Sequence, residues 1–177
     1  MRPLANALGA TRAGATGGRA PLHWLWLSVA VIIADQLTKR AIVDAFRPGD
    51  ELPLTPFVSL VLAFNRGAAF SFLAGEAGWQ RWLFTLIAIA ACAVMTWLLR
   101  KGGSTWLCMG LALIIGGALG NLYDRLVLGH VVDFLLVHWR GWYFPAFNVA
   151  DSAITVGAAS LILDSFRPRP AVAVGAE

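Results

Sequence analysis

Two uncharged apolar runs, about residues 82–99 and 102–123, are separated only by Arg100-Lys101. Each approaches the roughly 20 residues a helix needs to cross a hydrocarbon layer, and the short connection makes the two helices antiparallel neighbours. Composition agrees: of 177 residues, 58% are hydrophobic and 14% charged, with a mean hydropathy of +0.68 and eight tryptophans. Soluble domains carry about 45–50% apolar and about 25% charged residues. The chain therefore reads as a one-domain integral membrane protein.

Two further spans complete the pattern. The first runs from about His23 to Val43 and contains Asp35 and Lys39-Arg40; the last runs from about Asn148 to Leu163, opens with Asp151 and closes at Asp164, Arg167 and Pro168. The expected fold is an all-α polytopic membrane protein of four transmembrane helices, with a small β-sheet and a second short segment on one face. The division is a disordered cytoplasmic tail over 1–21, a membrane domain over 22–166 and a cytoplasmic tail over 167–177. Arg12, Arg19 and the first apolar run imitate a signal peptide, but the run continues into Asp35-Gln36-Leu37-Thr38-Lys39-Arg40 instead of a small-residue cleavage site.

Orientation follows the lysine and arginine bias of short loops. Arg2, Arg12 and Arg19, then Arg100-Lys101, then Arg167 and Arg169 share one side if there are four spans. Both termini are then cytoplasmic, and the connections at about 44–81 and 124–147 face outward. The net charge of +4 does not point to nucleic acid, because the basic residues sit at span ends with no stripe or interleaved aromatics. Cys92 and Cys108 fall in apolar stretches and read as small buried hydrophobes. His23, His130 and His138 are unclustered, so no metal or other cofactor is expected.

Against this background two acids stand out. Asp133 lies in Val131-Val132-Asp133-Phe134-Leu135-Leu136 and Asp151 in Phe147-Asn148-Val149-Ala150-Asp151-Ser152. An ionised carboxylate at the centre of a membrane helix costs on the order of 2.5–3.5 kcal/mol even on lenient scales, which marks such residues as functional candidates. Asn148 and Asp151, three apart at a span start, also fit an N-cap with an acid in the first turn, where unpaired amides and the helix dipole favour a charged carboxylate. Asp133 among apolar neighbours would instead hold its proton more strongly. One protonated and one ionised carboxylate can activate water and protonate a leaving group.

Other polar residues map to the same face. Residues 57–64 are β-branched and aromatic enough for a short strand, followed by a turn at Asn65-Arg66-Gly67 and the segment 68–72. This segment either offers its edge to an extended peptide or simply packs on the bundle. Gly116 and Gly120 have the spacing of close helix contacts. Asn121 and Arg125 share a helix face, and Arg125 needs an acidic, carbonyl or phosphate partner. Asp124 reads as a solvated residue at the helix end.

Five blocks then appear in order: Asp35 to Lys39, Asn65 to Phe70, Gly116 to Arg125, Val132-Asp133-Phe134 and Phe147 to Asp151. Together, over residues 22–166, they resemble the successive blocks of bacterial lipoprotein signal peptidase, or signal peptidase II. The resemblance implies an aspartic intramembrane peptidase of the bacterial inner membrane, with its site toward the periplasm. It would cut prolipoproteins before a diacylglyceryl-modified cysteine, in contact with membrane lipid, and would be inhibited by globomycin-type cyclic peptides; four spans can enclose such a site without a partner, so a monomer is expected. It places the catalytic pair on Asp133 and Asp151, with Asp35, Asn65, Arg66, Asn121, Arg125 and Asn148 shaping the site or holding substrate. The competing classes are an ion or proton carrier using the same carboxylates, a metal-dependent hydrolase with Asp and Asn oxygen ligands, and a structural bundle whose acids are only caps.

Overall fold

The computed structural model describes residues 21–67 and 79–167. After a short 3-10 turn at Leu22–Trp24 come helix α1 (Leu25–Ala45), strands β1 (Glu51–Thr55) and β2 (Val58–Asn65), helices α2 (Trp79–Lys101) and α3 (Thr105–Val127), strands β3 (Val131–Trp139) and β4 (Trp142–Tyr143), and helix α4 (Val149–Ser165). The four helices enclose the expected spans to within a few residues. The segment 68–72 and nearly all of both expected tails lie outside the described residues.

Helices α2 and α3 are each long and apolar enough to cross a membrane. Helix α1 carries Asp35, Lys39, Arg40 and Asp44, and α4 has only 17 residues. Both still turn large apolar side chains outward, including Trp26, Ile33 and Leu37 on α1 and Val156, Ile162 and Leu163 on α4. Helix α3 is central and packs against each of the other three helices.

Small residues allow that packing. A Cβ on Gly116 would lie 2.8 Å from the Ser28 carbonyl oxygen, and one on Gly117 would collide with the Ala150 carbonyl oxygen. Lower in the same α3–α4 seam, Gly110 and Gly157 face each other's backbones. Lipid offers little hydrophobic drive for helix association, so close backbone approach and interhelical hydrogen bonds supply it. The Ser28 hydroxyl donates to Ala112 O (2.7 Å) and the Ser160 hydroxyl to Trp106 O (3.0 Å). The Ser104 side chain caps α3 by accepting the Leu107 N–H at 3.0 Å.

The non-helical part is larger than the sequence pattern suggested. Residues 131–143, expected as a second separate outer segment, supply β3 and β4 to one four-stranded antiparallel sheet in the order β1-β2-β3-β4. Asp133 accordingly sits in a strand. Its apolar neighbours Val132 and Phe134 fill a core shared with Ile42 of α1 and Leu62 of β2, so the hydrophobicity of this stretch serves sheet packing rather than lipid contact. Edge strand β1 is fully exposed and carries Glu51 and Pro53, features that discourage further strand pairing.

Two irregularities of the sheet aim residues at one place. Between Leu60↔Leu135 and Ala63↔Asp133, β2 contains one residue more than β3, a bulge directly beside Asp133. Farther along, Phe147 pairs with β3 through Leu135 N–H to Phe147 O (2.8 Å) and Phe147 N–H to Leu135 O (3.0 Å). That bridge delivers Asn148, and with it the start of α4, against the same strand.

Gly117→Ala tests the close seam. The added methyl forces α3 from the Ala150 carbonyl, and the expected cost is about 1–3 kcal/mol, read as a lowered unfolding temperature in detergent. An unchanged temperature would show that the two helices have room to spare.

Candidate active site

Three asparagines and two aspartates from four elements meet at the end of the bundle that carries the sheet. Asn65 ends β2, Asn121 lies in the next-to-last turn of α3, Asp133 is on β3, Asn148 caps α4, and Asp151 is in its first turn. All but Asp151, which is half-buried, and Asn65, which is partly covered, are removed from solvent.

Asp133 accepts the Asn148 side-chain amide on Oδ1 (2.8 Å) and the Asn65 amide on Oδ2 (3.0 Å). Asp151 accepts the Asn121 amide on Oδ1 (2.7 Å) and the Asn148 backbone N–H on Oδ2 (3.3 Å). Asn148 thus touches both acids. Its own Oδ1 accepts the Asp151 N–H (2.9 Å), completing a reciprocal capping box. The helix-cap reading and the functional-site reading of Asn148-x-x-Asp151 are therefore one geometry: the cap brings the second carboxylate to the first.

Burial pushes the Asp133 carboxyl up to about 6. The Asn65 and Asn148 amides and the more distant Lys39 cation favour its charged form and limit that rise, while the nearby Asp151 charge adds to it. Asp133 is 2% exposed, so loss of hydration outweighs two good hydrogen bonds. Up to about pH 6 the cluster can keep the Asp133 carboxyl protonated beside a second, more exposed carboxyl, an arrangement suited to general acid–base work.

The remaining expected residues fall into a surrounding layer. Asp35, fully buried on α1, touches neither Asp133 nor Asp151. It accepts the Ala150 N–H of α4 at 2.9 Å and pairs with Lys39 at 2.7 Å. The Arg125 guanidinium stacks over Phe84 (5.3 Å to the ring centre), donates to Asn121 O (3.3 Å) and acts through space on Asp151 and Asp133. Arg66 is exposed in the turn after β2, where Gly67, at φ +101°, donates its N–H to Asn65 Oδ1 (2.8 Å). That turn orients the Asn65 amide toward Asp133; Arg66 itself stands at the rim.

Asp124 corrects one expectation. It is not solvated: at 1% exposure it pairs with Lys39 (2.8 Å) and accepts Gln36 Nε2 (2.9 Å) and the Val132 N–H (3.2 Å). Helix α3 runs on to Val127 and the chain turns back at once into β3, which roofs over Asp124. Lys39 and Gln36 were read only as members of the Asp35 to Lys39 block, and neither they nor Asp124 were taken as site residues. The available signal was the i,i+4 pair Asp35–Lys39 within an apolar span, since a buried ion pair needs further hydrogen-bond partners for its remaining protons.

The model of the family described as signal peptidase (SPase) II matches residues 27–167. The lipoprotein signal peptidase of Pseudomonas aeruginosa (strain UCBPP-PA14) is 58% identical over 156 residues, covering 86% of this chain and 91% of that protein. The one from Ralstonia nicotianae is 56% identical over 152 residues, covering 85% and 88%. A bacterial membrane enzyme solved by the in meso method superposes with a TM-score of 0.74 at 31% identity, over 83% of this chain and 94% of that one. With this match running from α1 to the end of α4, the chain belongs to the signal peptidase II family, the aspartic peptidases that remove signal peptides from prolipoproteins.

Proposed function

We propose that Asp133 and Asp151 are the catalytic pair and that the substrate is cut immediately before a diacylglyceryl-modified cysteine. The observation that carries this reading is the convergence of both carboxylates on Asn148, each also held by a further asparagine amide. Half-buried Asp151 takes a proton from water as the water oxygen attacks the scissile carbonyl. Buried Asp133 donates its hydrogen to that carbonyl oxygen. As the C–N bond breaks, Asp151 passes the proton it took from water to the departing cysteine nitrogen and Asp133 recovers its own from the collapsing gem-diol, with no covalent enzyme intermediate. Asn65, Asn121 and Asn148 keep the carboxylates in place. Arg125 and the rim residue Arg66 hold the substrate backbone, and Asp35 anchors the start of α4.

The four helices all span, with the site toward the periplasmic face of the bacterial inner membrane and both termini in the cytoplasm. The apolar outward faces of α1 and α4 support the four-span count. Arg100 and Lys101, at the α2–α3 turn on the opposite end of the bundle from the site, support the orientation. The lipid chains of the substrate then stay in the bilayer while its peptide reaches water at the interface. The enzyme acts as a monomer, needs no metal, and accepts globomycin-type cyclic peptides between the two aspartates.

Asp133→Asn and Asp151→Asn each lower turnover of a modified prolipoprotein by on the order of 10²–10⁴ in a detergent gel-shift assay, with the unfolding temperature retained. Near-normal turnover by either variant removes that residue from the mechanism. The same assay is expected to process the diacylglyceryl form, leave the unmodified form uncut, and ignore EDTA; equal cleavage of both forms would end the lipid-selection reading.

The acid–base roles also fix a pH dependence. Asp133 must carry its proton, which it loses as pH rises through about 6. The kcat/KM profile of the free enzyme therefore falls on its basic side near that value. Asn65→Ala removes a donor that favours the ionised form and moves this limb to higher pH. A profile flat from pH 5 to 8 would exclude Asp133 as the proton-bearing acid.

A further inference from the structure

Lys39 is a cation at 3% exposure inside the helical bundle, and the proposed chemistry gives it no task. Its ammonium has three N–H donors, and each has an acceptor: Asp35 Oδ2 at 2.7 Å, Asp124 Oδ2 at 2.8 Å and Asn121 Oδ1 at 3.0 Å. One carboxylate neutralises one ammonium, and two more than do so. The third bond, to an uncharged amide oxygen, is the part that charge balance does not require.

The direction in which each site asparagine faces explains that bond. An asparagine must point its NH2 group, not its oxygen, at a carboxylate, and its two ends differ little in shape. Asn65 is held by the Gly67 N–H on its oxygen, and Asn148 by the Asp151 N–H on its oxygen. Both locks are backbone groups beside the residue itself. Asn121 lies within α3, where the neighbouring backbone amides are spent in the helix. Its oxygen instead accepts Lys39 Nζ and the Asn148 side-chain NH2 (3.1 Å), which leaves its own NH2 for Asp151 at 2.7 Å. A flipped Asn121 would set NH2 against ammonium and oxygen against carboxylate, two repulsive contacts in a region of low dielectric.

From this geometry we infer that Lys39 is a positioning residue for the peptidase reaction: its ammonium locks the Asn121 amide so that Asn121 donates to Asp151. Asp35 and Asp124 aim the ammonium. Asp35 is fixed through the Ala150 N–H on α4 (2.9 Å), and Asp124 through the Val132 N–H on β3 (3.2 Å), so the lock is tied to both elements that carry the aspartates. Lys39 also acts on Asp133 through space, together with Asn65 from β2, Asp151 and Asn148 from α4, and Arg125 from α3. This inference rests on the reading of Asp133 and Asp151 as the catalytic pair.

The test uses the full-length enzyme in detergent with a diacylglyceryl-modified prolipoprotein. Lys39→Met keeps the alkyl stem and removes the cation. Lys39→Met combined with Asp124→Asn does the same while restoring the net charge of the buried cluster, which guards against misfolding from an unbalanced anion. With the lock gone, kcat is expected to fall on the order of a hundredfold with KM within about twofold of wild type. Without the nearby positive charge Asp133 holds its proton more strongly, so the basic limb of the pH profile moves to higher pH. A folded double variant with wild-type kcat and an unmoved limb overturns the inference. Failure of both variants to fold overturns it too, by assigning Lys39 to the fold alone. Asp151→Asn in parallel separates the two readings. Activity in that variant sinks the catalytic pair, whereas wild-type kinetics in the Lys39 variants beside an inactive Asp151→Asn sink only the lock.

Discussion

A polar group placed where water is scarce has to be satisfied by the protein itself, and at the sheet end of this bundle that demand organises everything else. Helix α4 begins there with unpaired backbone amides. Asn148 Oδ1 takes the Asp151 N–H and Asp35 Oδ1 takes the Ala150 N–H, while Asp151 returns a bond to the Asn148 N–H. Capping the helix thus draws two carboxylates and an amide to one spot. The amide still has its NH2 group free to donate, and it reaches Asp133 with it. In this sense the cluster of acids and amides is an extended helix cap.

The two aspartates come from different kinds of structure, and their environments differ accordingly. Asp133 is built into a sheet whose apolar residues shield it, so desolvation dominates and keeps its proton affinity high. Asp151 lies at the opening of a helix and stays half-buried, within reach of water. Unlike surroundings for two like groups are what separates an acid from a base at one pH. The bulge in β2 and the Leu135↔Phe147 bridge keep strand and helix close enough for that contrast to be used.

Behind the pair, ion pairing replaces hydration. Lys39, Asp35 and Asp124 join α1 to α3, and their backbone contacts to Ala150 and Val132 extend the joint to α4 and β3. Such a cluster is weak evidence for net stability, because desolvation consumes much of the Coulomb gain. Directionality is its clearer product: each charge has few acceptable partners, so the elements meet in one register. Glycines at the α3 seams let the backbones come close enough for those partners to touch.

Much of this was legible in the residues themselves. Apolar length located all four helices, and Asp133 and Asp151 stood out because carboxylates amid Val, Phe, Leu and Ala have no bland explanation except a cap. The capping motif and the turn at Asn65-Arg66-Gly67 were local patterns, and both formed as read. The strand around Asp133 was not legible, since a short apolar run has the same composition whether it faces lipid or a sheet core. Nor was the burial of Asp124, which depends on β3 folding back over the end of α3. Local sequence determined which segments form long apolar helices and which acids are out of place, because hydropathy and capping act over a few residues. Only the tertiary structure decided which amide faces which carboxylate and that Lys39 stands behind them, because those choices depend on partners 15 to 82 residues apart in the chain.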